Sequence, residues 1–138
     1  MSAMPLHLMT HPEALVVARL DAGAEPDWDW TPGPFASLSR SPQETSVVCL
    51  EDVVPAGVLT EGPFRAVEVA GPLAFDAVGV MAEILTPLVP AGISVLALST
   101  YDTDWILVPE GGIAVAEAVW RKAGLIITPT VLTGRSGS

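Results

Sequence analysis

Few residues in this chain have both the type and the spacing that chemistry requires. Asp102-Thr103-Asp104 is a D-x-D, a spacing that can hold a divalent cation or support acid–base work. Asp and Thr equally serve a polar turn, where they bond their own backbone. Asp76 opens an apolar periodic stretch and reads as an N-cap whose carboxylate takes the first free N–H groups of a helix. Gly79 falls in the first turns of that helix, where glycine costs roughly 1 kcal/mol against alanine. A close approach of other atoms to the backbone is expected there. His7 and His11 have the i, i+4 spacing that on a helix could put two imidazoles on one metal, but Pro5 and Pro12 interrupt the segment and only Glu13 adds a carboxylate at ligand spacing. Neither a metal nor another cofactor is expected. Cys49 sits in an apolar run without a basic neighbour, as a buried inert thiol does. The chain has no Gly-rich phosphate loop, no G-x-S-x-G elbow and no H-E-x-x-H, so no catalysis is expected.

The elements that must position these residues are short and heavily punctuated, with 13 Pro and 12 Gly in 138 residues. Residues 15–21 read as a strand, and residues 22–34, with three acids, two Trp and three Pro, as a loop. Residues 35–40 and 46–51 form a predicted hairpin around Ser41-Pro42-Gln43-Glu44-Thr45, and residues 52–63 a connector. Residues 64–70 alternate as a strand should. Over residues 76–89, Val80, Ile84 and Leu88 recur on one face with Met81 and Leu85 beside them, predicting a helix that Pro87 tightens and ends between Thr86 and Val89. Residues 93–99, apolar on both faces, read as a buried central strand. Residues 105–108 are a further strand, 112–123 a second helix with Ile113, Ala116, Val119 and Trp120 on one side, and 125–128 a last strand.

From residue 64 the order is therefore β-α-β-β-α-β, the ferredoxin-like unit in which two helices cover one face of a four-stranded antiparallel sheet. Residues 35–51 echo 95–110, with Leu38-Ser39 on Leu98-Ser99, Glu51 on Glu110 and one extra residue in the turn. The predicted fold class is α+β: a complete unit over 61–129, preceded by a degenerate, helix-poor, mainly β half over 1–60 and followed by a disordered Gly/Ser tail over 130–138, packed as one tandem body.

The stretch Asp76-Ala77-Val78-Gly79-Val80-Met81-Ala82-Glu83-Ile84, followed after the helix by Ala91-Gly92-Ile93-Ser94, resembles the signature of ACT domains, the amino-acid-binding regulatory modules of biosynthetic enzymes. Val78 stands where that signature has Pro. Residues 62–108 resemble stand-alone tandem ACT proteins related to the CASTOR arginine sensors, whose hallmark reads here as Ser99-Thr100-Tyr101-Asp102-Thr103-Asp104-Trp105-Ile106-Leu107-Val108. The resemblance is strong over 62–124 and looser over 14–55. It implies a ligand site at Asp76, Ala77, Gly79, Val80, Thr100, Tyr101 and Asp104, with Asp102 and Thr103 beside them. A helix N-terminus would receive an α-carboxylate, and Asp104 with Asp76 or Asp102 an α-ammonium. Ala77 stands where a cationic-ligand sensor can carry an acidic residue.

The expected function is a non-catalytic regulatory protein that binds an amino acid or related metabolite and acts through oligomerisation or a partner. The alternative is an ACT-like interaction domain without a ligand, with Trp28 and Trp30 as its contact surface; those rings equally serve to cover the sheet face that missing helices leave open. A homodimer is expected on that open face. Six basic against sixteen acidic residues give a net charge of −10, which repels nucleic acid and anionic membranes. One cysteine, the absence of a basic signal-type N-terminus and the lack of a membrane-length apolar run make a cytoplasmic protein the expectation.

Overall fold

A computed structural model of the chain describes residues 5–70 and 79–131. In order, its elements are β1 (His7–Asp21), β2 (Ser37–Arg40), β3 (Glu44–Leu50), β4 (Leu59–Val69), α1 (Val80–Leu85), β5 (Leu96–Ser99), β6 (Asp104–Pro109), α2 (Ile113–Lys122) and β7 (Ile126–Pro129). Short 3-10 turns at Glu51–Val53, Thr86–Leu88 and Glu110–Gly112 complete them. The described residues fall into two units: unit 1 holds residues 5–12 and 65–131, unit 2 residues 13–64. The long strands β1 and β4 each give one part to each unit.

Unit 1 has the predicted β-α-β-β-α-β order from β4 to β7, with one strand more than the pattern implies. Its sheet runs β7, β1, β4, β6, β5. The first part of β1 lies between β7 and β4, and β7 pairs with it in parallel, from His7↔Ile126 to Thr10↔Pro129. Sequence reading starts this strand only at residue 15, because Pro5 and Pro12 look like breakers. Pro12 is tolerated where it stands: β7 pairs with β1 as far as Thr10, and β3 takes over only at Leu15↔Leu50, so the missing N–H falls in the interval between two registers.

The helices cover one face of this sheet. Leu8, Val67, Val69, Ile106 and Val108 from the strands meet Ile84, Leu88, Ala116 and Trp120 in one core, with Val80, Met81 and Leu85 packed against it. The i, i+4, i+8 stripe thus does what its period predicts. Pro87 lies in the Thr86–Leu88 turn, where its lost N–H tightens the helix end to 3-10 geometry. Residues 76–78 of the predicted helix lie outside the described residues. One expectation fails: β5 is the end strand of its sheet, with Leu96 42% exposed, and not a buried central strand. A four-residue apolar strand looks the same in both places, because what decides burial is the partner strand, which is remote in sequence.

Unit 2 orders its strands β2, β3, β1, β4. β1 and β3 pair antiparallel from Leu15↔Leu50 to Asp21↔Glu44, and β2 and β3 from Ser37↔Val48 to Arg40↔Thr45. The predicted connector 52–63 is corrected here, since β4 begins at Leu59 and supplies the fourth strand of a ferredoxin-like sheet without helices. Pro63 disguises it, yet an end strand accommodates proline.

Val16, Ala18, Val47 and Cys49 form this unit's core, and Trp28, Trp30, Val53, Val54 and Val58 pack on it. The face left by the missing helices is therefore covered by the chain's own loop, which removes the open face as a reason for a homodimer. Asp29 stiffens the loop: its Oδ1 accepts from the Thr31 hydroxyl at 2.7 Å and the Thr31 N–H at 3.1 Å, and these bonds hold its carboxyl below the usual carboxylate range. Burial pushes the Cys49 thiol up, opposed in part by the Trp28 indole, so Cys49 stays a protonated core residue. No helix among the described residues is long and apolar enough to cross a membrane.

Candidate functional site

The hallmark residues fold as a tight hairpin turn. Ser99 lies opposite Asp104 in the β5–β6 register. Beyond that pair, the Thr100 N–H donates to the Thr103 carbonyl at 2.8 Å and the Thr100 hydroxyl to the same oxygen at 3.1 Å. The Thr103 N–H returns a bond to Thr100 Oγ1 at 3.4 Å. A small hydroxyl side chain suits such a turn because it can bond the backbone across the turn itself. Tyr101 and Asp102 stand at its tip, and Tyr101 is 85% exposed.

One contact fastens the turn to the rest of unit 1, and a second closes its own base. The Thr103 hydroxyl donates to the carbonyl of Val69 at 2.6 Å, at the end of β4. Ser99 Oγ donates to Asp104 Oδ1 at 2.7 Å. A carboxylate has about four lone-pair sites, so Asp104, half-buried at the base of the turn, keeps acceptor capacity beyond the Ser99 bond. Ser99 is missing from the sequence-derived site. Its signal is the hairpin register itself, which places it directly across from Asp104.

Gly79 and Val80 open α1, and the first helical bond runs from the Glu83 N–H to the Gly79 carbonyl at 3.0 Å. The N–H groups of Val80, Met81 and Ala82 therefore precede any partner within the helix. Gly79 is needed for a reason other than the expected close approach. A Cβ there would meet nothing within 4 Å among the described residues, but its φ is +85°, in the left-handed region. Gly79→Ala is accordingly expected to destabilise unit 1 by roughly 1–2 kcal/mol, with Gly79→Asn costing less, as urea unfolding would read. Asp76 and Ala77 lie outside the described residues; the N-cap of α1 is Gly79.

The histidine pair is not on a helix. His7 and His11 lie on β1, where four residues span about 13 Å, and their ring nitrogens have other partners. His7 Nε2 bonds Thr128 Oγ1 at 2.6 Å. His11 Nε2–H donates to Glu68 Oε1 at 3.1 Å, its Nδ1 bonds Thr130 Oγ1 at 3.0 Å, and its ring stacks on Trp105 at 5.7 Å. The imidazoles tie β7, β1, β4 and β6 of unit 1 together.

Comparison with known proteins agrees with this geometry. The profile of the ACT domain family matches residues 59–119, from β4 through the hallmark turn into α2. The cytosolic arginine sensor for mTORC1 subunit 1 of Homo sapiens is 44% identical over 61 residues, which make up 43% of this chain and 18% of the sensor. The crystal structure of protein Atu0741 from Agobacterium tumefaciens superposes with a TM-score of 0.82 at 30% identity, over 94% of this chain and 96% of that one. Aspartate kinase of Clostridium acetobutylicum, described as an allosteric enzyme, shares the fold at a TM-score of 0.59 and 10% identity, over 81% of this chain and 33% of the kinase. With its family match running from β4 into α2, a tandem arrangement of two ferredoxin-like sheets and a full-length structural relative, the chain belongs to the ACT-domain proteins.

Proposed function

We propose that this protein is a non-catalytic regulatory module that binds a small molecule of the amino-acid class at one end of unit 1, and that occupancy is passed on through self-association or a separate partner. The site comprises Asp76, Ala77, Gly79 and Val80, at and before the start of α1, with Thr100, Tyr101, Asp102, Thr103 and Asp104 of the turn. The observation that supports it is the 2.6 Å bond from the Thr103 hydroxyl to the Val69 carbonyl. It fastens the hallmark turn to the end of the strand from which the chain sets out toward α1. The N–H groups of Val80, Met81 and Ala82 suit an α-carboxylate, and the spare acceptor capacity of Asp104 suits an α-ammonium. Ala77 offers no carboxylate to a cationic side chain, so the proposal is an amino acid as a class.

Thermal unfolding with each of the twenty amino acids tests this. A ligand at about 100 times its Kd stabilises by about 2.7 kcal/mol, or roughly 5–10 °C for a chain of this size. Asp104→Ala is expected to abolish that shift while leaving the unliganded midpoint within about 1–2 °C, as for a partly exposed site. No shift with any amino acid contradicts the proposal, and a shift that survives Asp104→Ala contradicts the site.

A further inference from the structure

The hairpins of the two units are one design repeated, and the hydrogen bonds give its register. The Ser41 N–H donates to the Glu44 carbonyl at 3.0 Å just as that of Thr100 does to Thr103 at 2.8 Å. Arg40 lies opposite Thr45 as Ser99 lies opposite Asp104. Each second strand then runs into a 3-10 turn, Glu51–Val53 in unit 2 and Glu110–Gly112 in unit 1. The two turns are equal in length, so the extra residue expected from Leu38-Ser39 on Leu98-Ser99 disappears, and Arg40, not Ser39, answers Ser99.

The cross-strand pair at the base of each turn is where the copies diverge. In unit 1 it is Ser99 and Asp104, two short side chains that contribute a net negative charge. In unit 2 it is Arg40 and the fully buried Thr45. Arg40 Nη1 donates to Thr45 Oγ1 at 3.3 Å and to the carbonyl of Ala24 at 3.1 Å, and Nη2 pairs with Glu25 Oε2 at 2.7 Å. Ala24 and Glu25 follow β1 in unit 2 as the residues leading to α1 follow β4 in unit 1. The guanidinium thus bridges the hairpin base and the segment after the first strand, the two places in chain order that hold the residues of the proposed ligand site in the other unit. A planar fork with five donors suits this task, since it serves a hydroxyl, a carbonyl and a carboxylate at once.

We infer that the counterpart of the ligand site in unit 2 is filled by the chain's own Arg40 guanidinium, clasped by Glu25 and Ala24, so that each chain takes one small-molecule ligand and not two. This rests on the functional reading above for its ligand count, but the clasp itself does not. An amino acid approaching unit 2 at this point would bring its ammonium against a guanidinium, and would find a Thr hydroxyl where unit 1 offers the Asp104 carboxylate.

Two measurements on the full chain test the inference separately. Amide exchange over residues 22–30 is expected to quicken by roughly fivefold in Arg40→Ala, the scale of a partly exposed ion pair with added hydrogen bonds. Ethylguanidinium at tens of millimolar should slow it again and ethylammonium should not. Glu25→Gln should quicken the same amides less, since the bonds to Ala24 and Thr45 remain. Unchanged exchange in Arg40→Ala, or rescue by both cations alike, overturns the internal occupant. Calorimetric titration of the wild-type chain with whichever amino acid raises its melting temperature should give one equivalent per chain, and two equivalents overturn the count. If no amino acid raises it, the ligand reading fails while the exchange experiment still decides whether Arg40 fills this position.

Discussion

Trp120→Ala is expected to cost about 3–5 kcal/mol of stability, a large share of the 5–15 kcal/mol that holds a domain folded. The Trp120 side chain is completely buried in the unit 1 core, which also holds Leu8, Val67, Ile84 and Ile106. Truncation leaves a cavity that rigid sheet and helix backbones cannot close. It also removes the indole N–H that donates to the Ile84 carbonyl at 2.8 Å, beside the point where α1 tightens into its last turn. Trp120→Phe separates the two contributions, keeping most of the bulk and stranding only the carbonyl, for about 1–2 kcal/mol. Urea unfolding with an unchanged slope and a lowered midpoint is the readout for both. A loss below about 1 kcal/mol for the alanine variant would mean that α2 does not pack on this sheet as described.

Leu8→Ala is expected to cost about 2–5 kcal/mol, the range for a buried leucine. The size of this effect tests the topology directly. Leu8 is fully buried in the unit 1 core and lies opposite Ile127 in the parallel β1–β7 register. Were residues 7–12 a peripheral arm, as the prolines around them suggest, the substitution would fall within about 0.5 kcal/mol of neutral. Leu59→Ala is the internal control, since Leu59 is 68% exposed and should show that small effect.

What the sequence reveals and what it hides divide along physical lines. α1 and α2 are legible because a 3.6-residue period is a local property: Val80, Ile84 and Leu88 announce their face without reference to anything distant. The Pro87 tightening is equally local. The fate of β5 is not, because the apolar run over residues 93–99 is compatible with either a central or an end strand. The first part of β1 and the start of β4 are masked by Pro12 and Pro63, residues that ordinarily end strands. The internal repeat is visible as letters, yet its register needs the hydrogen bonds, since matching Leu-Ser pairs draw the alignment one residue away from the true cross-strand partners.

The site shows the same split. The hallmark turn can be read from Thr100, Thr103 and Asp104, and the structure gathers them at one hairpin. Gly79 is legible as a special residue, but the reason is a left-handed φ, which only backbone geometry reveals. Trp28 and Trp30 leave two roles open in sequence, as cover or as contact surface. Packing against Val16, Val47 and Cys49 decides for cover, because a ring laid on an apolar sheet gains more than one left in water.

The measurement that bears most directly on the central claim is an amide chemical-shift map of the chain titrated with the twenty amino acids in turn. At least one should perturb the amides of Val80, Met81 and Ala82 together with those of residues 99–104, leaving residues 40–45 of unit 2 unmoved. Perturbations centred on unit 2, or none with any amino acid, would contradict a regulatory ligand site at the hallmark turn.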